Sequence, residues 1–163
     1  MNPNSSVILI VDDDWMTREV MQATLESAGY RVLEANSGTR ALEMLAESPP
    51  DLILLDVRMP GLDGFETCKR IKDDPRSQHI PVLLMTGLEH DDAKQRGLDA
   101  GVDDFVNKPF DMITVQARVR SLLRIKKLYD ALQLRDQRLR EVLAAEVPAE
   151  TAQRILRALD THP

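Results

Sequence analysis

Short apolar runs alternate with helix-spaced patterns along residues 1–121. Val7-Ile8-Leu9-Ile10-Val11 is unbroken and rich in β-branched residues, the pattern of a strand covered on both faces. After Asp14, Met16, Val20, Met21, Thr24, Leu25 and Ala28 recur at helical spacing, and Gly29 suits a helix C-terminus. Tyr30–Ala35 reads as a second strand. Ser37 can cap a helix carrying Ala41, Leu42 and Leu45, which Pro49-Pro50 stops. Asp51–Asp56 contains a third buried run, and Met59–Gly64 is a turn-rich loop before a helix through Phe65, Cys68 and Ile71. Val82–Met85 is a fourth strand, Asp92–Ala100 a polar helix ending near Gly101, and Asp104–Asn107 a fifth strand. Lys108-Pro109 then opens the last helix. Five strands alternating with five helices predict an α/β fold, a parallel sheet with helices on both faces joined by right-handed crossovers.

The last helical pattern does not stop where the alternation ends. From Asp111 to about Glu146 there is neither Gly nor Pro, so one helix of about 54 Å can form. Ile125, Leu128, Leu132, Leu139 and Val142 follow a short, imperfect heptad, with Arg135 in one seam position. That spacing predicts self-association as a parallel dimer through residues 122–146; the alternative is a helix folded back on its own domain. Pro148 breaks the run, and Ala152, Ile155, Leu156 and Leu159 predict a small amphipathic helix. The expected division is therefore residues 1–121, an extended helical linker over 122–147, and a short C-terminal helix over 148–163.

Length and composition narrow the partners. With 163 residues, 43% hydrophobic and 29% charged, the chain can bury a real core. Its longest apolar runs, such as Val7–Val11 and Leu52–Leu55, fall far short of the ~20 residues that span a bilayer. No basic region or long apolar stretch of the signal-peptide kind follows Met1, so a cytoplasmic protein without membrane contact fits best. Cys68, the single cysteine, cannot form an internal disulfide and reads as a core filler. His79, His90 and His162 make no zinc spacing and are expected on the surface. The net charge is −6, yet residues 122–163 hold eight Arg and Lys against six Asp and Glu. Residues 1–121 are thus strongly acidic, which argues against nucleic acid as the default partner.

The groups that carry chemistry sit just after the predicted strands. These are Asp12-Asp13-Asp14 after the first, Asp56 at the third, Thr86 at the fourth and Lys108 at the fifth. Ligands of open parallel sheets bind beyond the carboxyl ends of the strands, and a strand order 2-1-3-4-5 would make these ends neighbours. Carboxylates from Asp12, Asp13 and Asp56 within ~4–6 Å would repel by a few kcal/mol per pair. Lys108 offsets one charge and a divalent cation the other two. Oxygen-only ligands open to water favour Mg²⁺. With metal and lysine present, Asp56 is placed for attack on phosphorus. Asp14 reads as the N-cap of the first helix.

The stretches VDDD (Val11–Asp14), LLDVRMPGLDG (Leu54–Gly64), LLMTG (Leu83–Gly87) and DDFVNKPF (Asp103–Phe110) resemble the receiver domain of two-component response regulators, over residues 6–122. The resemblance implies the flavodoxin-like order 2-1-3-4-5 and a phosphoryl group accepted on Asp56 from a sensor histidine kinase or histidine phosphotransferase. It further implies Mg²⁺ held by the carboxylates of Asp13 and Asp56 and the backbone carbonyl of Arg58, with Asp12 acting through water. Lys108 would pair with phosphoryl oxygens, Lys108-Pro109 would be cis, and Thr86 would bond the phosphoryl group while Phe105 turns inward. Such a domain is a signalling phosphoacceptor that catalyses only its own phosphorylation and dephosphorylation. Phe105 replaces the tyrosine many members carry. Ala117–Leu132 resembles the last receiver helix and linker of regulators that lead into cyclic-nucleotide enzymes or a second signalling module.

Two rival readings remain at this level. Asp12-Asp13-Asp14 also suits a haloacid-dehalogenase-type phosphatase, although that reading gives Asp56 and the Pro60–Gly64 loop no task. The other rival is a non-phosphorylated scaffold of receiver-like shape.

Overall fold

A computed structural model describes residues 6–87 and 91–160. Residues 1–126 form one compact unit and residues 127–163 a second. In the first, five parallel strands, β1 (Val7–Val11), β2 (Arg31–Ala35), β3 (Leu52–Asp56), β4 (Val82–Thr86) and β5 (Asp104–Asn107), lie in the order β2-β1-β3-β4-β5. Helices α1 (Trp15–Ser27), α2 (Gly38–Glu47), α3 (Gly64–Asp73) and α4 (Asp91–Asp99) follow the first four strands, and α5 (Met112–Glu146) follows the fifth. The expected α/β architecture and strand order are thus observed.

Strand alternation divides the core in two. Leu9, Val11, Ile53, Leu55, Val82 and Leu84 face one layer with Phe65, Cys68, Ile71 and Ala93. Ile8, Ile10, Leu52, Leu54, Leu83 and Met85 face the other with Met21, Leu25, Val115 and Val119. All five β3 residues are buried, as the middle strand of a doubly covered sheet requires. Each fully buried aliphatic side chain stabilises the fold by about 1.5–3 kcal/mol.

Short polar side chains start the helices. Asp14 accepts from the Met16 N–H at 3.2 Å, Ser37 from Arg40 at 3.2 Å, Asp63 from Glu66 at 2.8 Å, and Asp111 from Thr114 at 2.8 Å. Each satisfies an amide that the helix leaves without a partner. Gly29 closes α1 at a φ of 90°, a conformation that a side chain disfavours.

Several expected boundaries move by one residue. Tyr30 is not in β2, because its N–H returns to Leu25 O at 3.1 Å and completes the end of α1. Asp51 precedes β3 and spends its carboxylate on the Val7 N–H at 2.7 Å. The polar helix runs Asp91–Asp99, and Gly101 at a φ of 79° follows it. Cys68 is fully buried, with Sγ 3.4 Å from Ala100 O, and burial pushes its thiol up to about 12. A thiol reagent at pH 8 should therefore leave the native chain unmodified and titrate one equivalent after denaturation. His79 is half-buried rather than a fully surface residue, while His90 and His162 lie outside the described residues.

In the second unit, the C-terminal part of α5 and α6 (Ala149–Asp160) form a helical hairpin. The Pro148 carbonyl accepts from Thr151 and Ala152 at 2.9 and 3.0 Å, starting α6. Arg140 joins Asp136 at 2.7 Å and Asp160 at 2.8 Å, so α6 runs back along α5 and its last residue reaches Arg140. Ala152 is buried, and Leu143, Val147 and Leu156 are half-buried. The heptad positions Leu128, Leu132, Leu139 and Val142 remain exposed. Among the described residues no helix is long and apolar enough to cross a membrane.

Candidate functional site

Parallel strands deliver the residues at their C-terminal ends to one edge of the sheet. Asp12 and Asp13 follow β1, Asp56 ends β3, Thr86 ends β4, and Lys108 follows β5. Asp12, Asp13 and Asp56 each present an oxygen, and the three oxygens lie within 4.8 Å of one another. Asp12 and Asp56 are buried and Asp13 is exposed. Lys108 Nζ stands 2.9 Å from Asp56 Oδ1 and 3.3 Å from Asp12 Oδ2.

The charge balance of this cluster is negative. At the observed spacing, two ionised carboxylates repel by about 3 kcal/mol for an effective dielectric near 20. Burial pushes the Asp12 carboxyl above its ordinary value; the Asp14 N–H and Lys108 oppose this and the Asp56 charge adds to it. Burial alone would lower the Lys108 ammonium, but Asp56 and Asp12 outweigh it and hold Lys108 above its usual value. One lysine leaves the three carboxylates undercompensated. The donor set is oxygen only and open on the Asp13 side, which fits a hard divalent cation of the Mg²⁺ type.

The surrounding backbone holds this geometry. Asp12 N–H donates to Ala35 O at 3.2 Å, and Asp12 Oδ1 accepts from Asp14 N–H at 2.9 Å. Lys108 N–H donates to Thr86 O at 2.7 Å, tying β5 to β4 beside the cluster, and the Lys108–Pro109 peptide is cis. Asp14 points elsewhere: it caps α1 and takes the Thr17 hydroxyl at 2.6 Å, which keeps its carboxyl below the usual range.

Two supports were not legible as functional from the sequence. Arg18 donates from Nη1 to the carbonyls of Asp12 at 2.8 Å and Asp13 at 3.3 Å, and its Nε lies 3.5 Å from Glu34. An arginine in the first turns of a helix looks like any solvent-facing residue, so nothing in the chain announced it. Gly64, at the start of α3, packs on the backbone of Asp56 and Val57; a Cβ there would lie 2.8 Å from Val57 Cα and closer still to Asp56 O. Gly64→Ala should cost about 1–3 kcal/mol through overpacking, measurable by urea denaturation. Its unchanged stability would mean that this junction yields easily.

The remaining site residues fall in adjoining places. The Arg58 side chain is exposed at the rim, with Nη2 3.3 Å from where a Cβ on Gly87 would lie. Thr86 is buried, whereas Phe105 is half-buried with its ring against Gly97 of α4, leaving no room for a side chain there. Thr86 and Phe105 line a cleft of about 720 Å³ with Lys94, Asn107, Phe110 and Arg118. Asp12, Asp13, Asp56 and Lys108 thus converge, while Phe105 belongs to the neighbouring cleft.

This arrangement has counterparts. Residues 8–120 match the family model described as the response regulator receiver domain. The response regulator PleD of Caulobacter vibrioides is 46% identical over 132 residues, 81% of this chain and 29% of that protein. The DNA-binding dual master transcriptional regulator RpaA of Synechocystis is 44% identical over 117 residues, 72% of this chain and 48% of that one. The chain therefore spans between about a third and a half of these curated relatives. Among solved structures, a response regulator from Chloroflexus aurantiacus superposes with a TM-score of 0.71 at 36% identity, over 74% of this chain and 99% of that one. Chemotaxis protein CheY4 of Vibrio cholerae gives 0.70 at 30% identity, over 72% and 98%. With the sheet order, the acidic cluster and a family match over most of its length, the chain belongs to the response regulator receiver domain family.

Proposed function

We propose that this chain is a phosphoacceptor of a two-component pathway, taking its phosphoryl group on Asp56. The observation that carries this reading is the cluster itself, in which Lys108 Nζ lies 2.9 Å from Asp56 Oδ1 beside two further aspartates. An Asp56 oxygen attacks phosphorus, the phosphorus–nitrogen bond of a phosphohistidine on a kinase or phosphotransferase breaks, and the imidazole leaves with that electron pair. Asp13, Asp56 and the Arg58 backbone carbonyl are the residues that would hold Mg²⁺, with Asp12 assisting through water. When bound, the ion supplies positive charge to the phosphoryl oxygens. Lys108 pairs with another of those oxygens, exchanging its contact with the Asp56 carboxylate for the dianion formed on it.

Thr86 then hydrogen-bonds the phosphoryl group and Phe105 moves further inward, which alters the cleft they share and biases a two-state surface. The output is carried by association of two copies through residues 122–146, where the heptad positions from Ile125 to Val142 are exposed. Acid excess over residues 1–121 favours a protein partner over nucleic acid.

Incubation with acetyl phosphate and Mg²⁺ should add a single phosphoryl group, mapped to Asp56 by mass spectrometry after borohydride reduction. Chelation of the metal should abolish the labelling. Labelling that is indifferent to the metal, or that maps elsewhere, would overturn the proposal. Repeated turnover of phosphate esters would instead favour a phosphatase.

A further inference from the structure

We infer that the hairpin of α5 and α6 is one half of a four-helix bundle completed by a second copy of this chain, with α6 packing on the partner's α5. The inference rests on the dimer reading above and adds α6 to it. Within one chain, Arg140 pairs with Asp160 across the hairpin, and the residues shielded along that line are Leu143 of α5, Val147 just after it, and Ala152 and Leu156 of α6. Apolar surface is left over on both helices. Leu139 and Val142 keep 43% and 52% exposure, and Ile155 and Leu159 keep 36% and 46%. At about 100° per residue, the heptad seam on α5 lies roughly 85° from the strip that meets α6. Ile155 and Leu159 are turned off the contact line of α6 in the matching sense. Because the two helices run antiparallel, both leftover strips face the same side of the hairpin.

The extent of surface argues for a second copy as the occupant. From Ile125 to Val142 the α5 seam spans fewer than the three to four heptads that sustain a coiled coil alone, and Arg135 interrupts it. A stable protein interface needs about 800 Å² from each partner, and bundles reach this by drawing layers from all four helices. Ile155 and Leu159 add apolar surface at the C-terminal end of the seam, beside Leu139 and Val142. Charge supports the same placement. In a parallel pair, α6 lies beside the flank of the partner's α5 that carries Arg138 and, seven residues on, the small Ala145. The Asp160 side chain retains 59% exposure after pairing with Arg140, so it can take a second guanidinium from Arg138 of the other copy, while Ala145 leaves space for Ile155.

The test is sedimentation velocity on the full chain, with and without acetyl phosphate and Mg²⁺. Leu132→Glu/Leu139→Glu and Ile155→Glu/Leu159→Glu should each weaken the dimer by about tenfold or more. To guard against simple loss of α6, Ala145→Cys chains are mixed with Ile155→Cys chains and oxidised. A cross-link in the mixture, absent from either variant alone, is expected only where α6 of one copy abuts α5 of the other. If the α6 variants dimerise as wild type and the mixture does not cross-link, α6 is outside the interface and the inference fails, although the dimer stands. If wild type stays monomeric at tens of micromolar in both conditions, the inference and the dimer reading fail together.

Discussion

Asp56→Asn should abolish labelling by acetyl phosphate, lowering it by at least about 10³-fold, because the substitution removes the attacking oxygen while keeping the shape of the side chain. The fold should survive. Asp56 ends a fully buried strand, and asparagine fits the same volume. The electrostatics change in a stated direction: Lys108 keeps Asp12 at 3.3 Å but loses its closer partner at 2.9 Å. Asp12 loses one of the charges that raise its pKa, so it moves downward, yet burial, the larger cause, remains. Affinity for Mg²⁺ should also fall, since one of three clustered carboxylates becomes neutral. Fluorescence of Trp15, which is exposed two residues beyond Asp13, offers a titration signal for that loss. Full labelling of the variant would remove Asp56 from the acceptor role, whatever its metal affinity.

The largest effect on stability is expected from Leu54→Ala. Leu54 is fully buried, in register with Ile10 on β1 and Leu83 on β4, and it faces the layer built with Met21, Leu25, Val115 and Val119. Its truncation should cost about 2–5 kcal/mol, from lost burial plus a cavity that the central strand cannot close. Against a typical total of about 5–15 kcal/mol this is a large fraction. A fall in Tm of roughly 10 °C follows for a unit of this size. Leu132→Ala on the exposed seam, measured at a concentration where the chain is monomeric, should stay within about 0.5 kcal/mol of wild type. A loss below about 1 kcal/mol at Leu54 would mean that the sheet repacks more freely than its burial suggests.

Local signals carried the elements because their causes are local. Val7–Val11 and Leu52–Leu55 read as strands because they are short apolar runs rich in β-branched or bulky aliphatic residues, as a doubly covered strand requires. Asp14, Ser37 and Gly29 bounded helices through bonds and dihedrals reaching no more than a few residues along the chain. The misplaced start of β2 at Tyr30 and the anchoring of Asp51 have a different origin. Tyr30 N–H closes the preceding helix, and the Asp51 carboxylate serves Val7, 44 residues away. Periodicity contains no record of either bond.

The acidic cluster was legible in part. Carboxylates after two strands and a lysine after a third are visible as residues, and their excess negative charge already asks for a cation. Their convergence depends on β1 and β3 being neighbours, which pairing across the sheet decides. Arg18 beneath the Asp12–Asp13 carbonyls, Gly64 against the Asp56 backbone and Gly97 under the Phe105 ring belong to the same class of long-range fact.

The sequence by itself determined which segments become strands and helices and which side chains could do chemistry, because propensity, capping and burial pattern act over a few residues. Only the tertiary structure decided which strand ends meet, how deeply Asp12 and Asp56 are buried, and which apolar faces α5 and α6 leave in water. Those outcomes depend on distances between residues far apart in the chain, and such distances are set by the packing of the sheet and the hairpin.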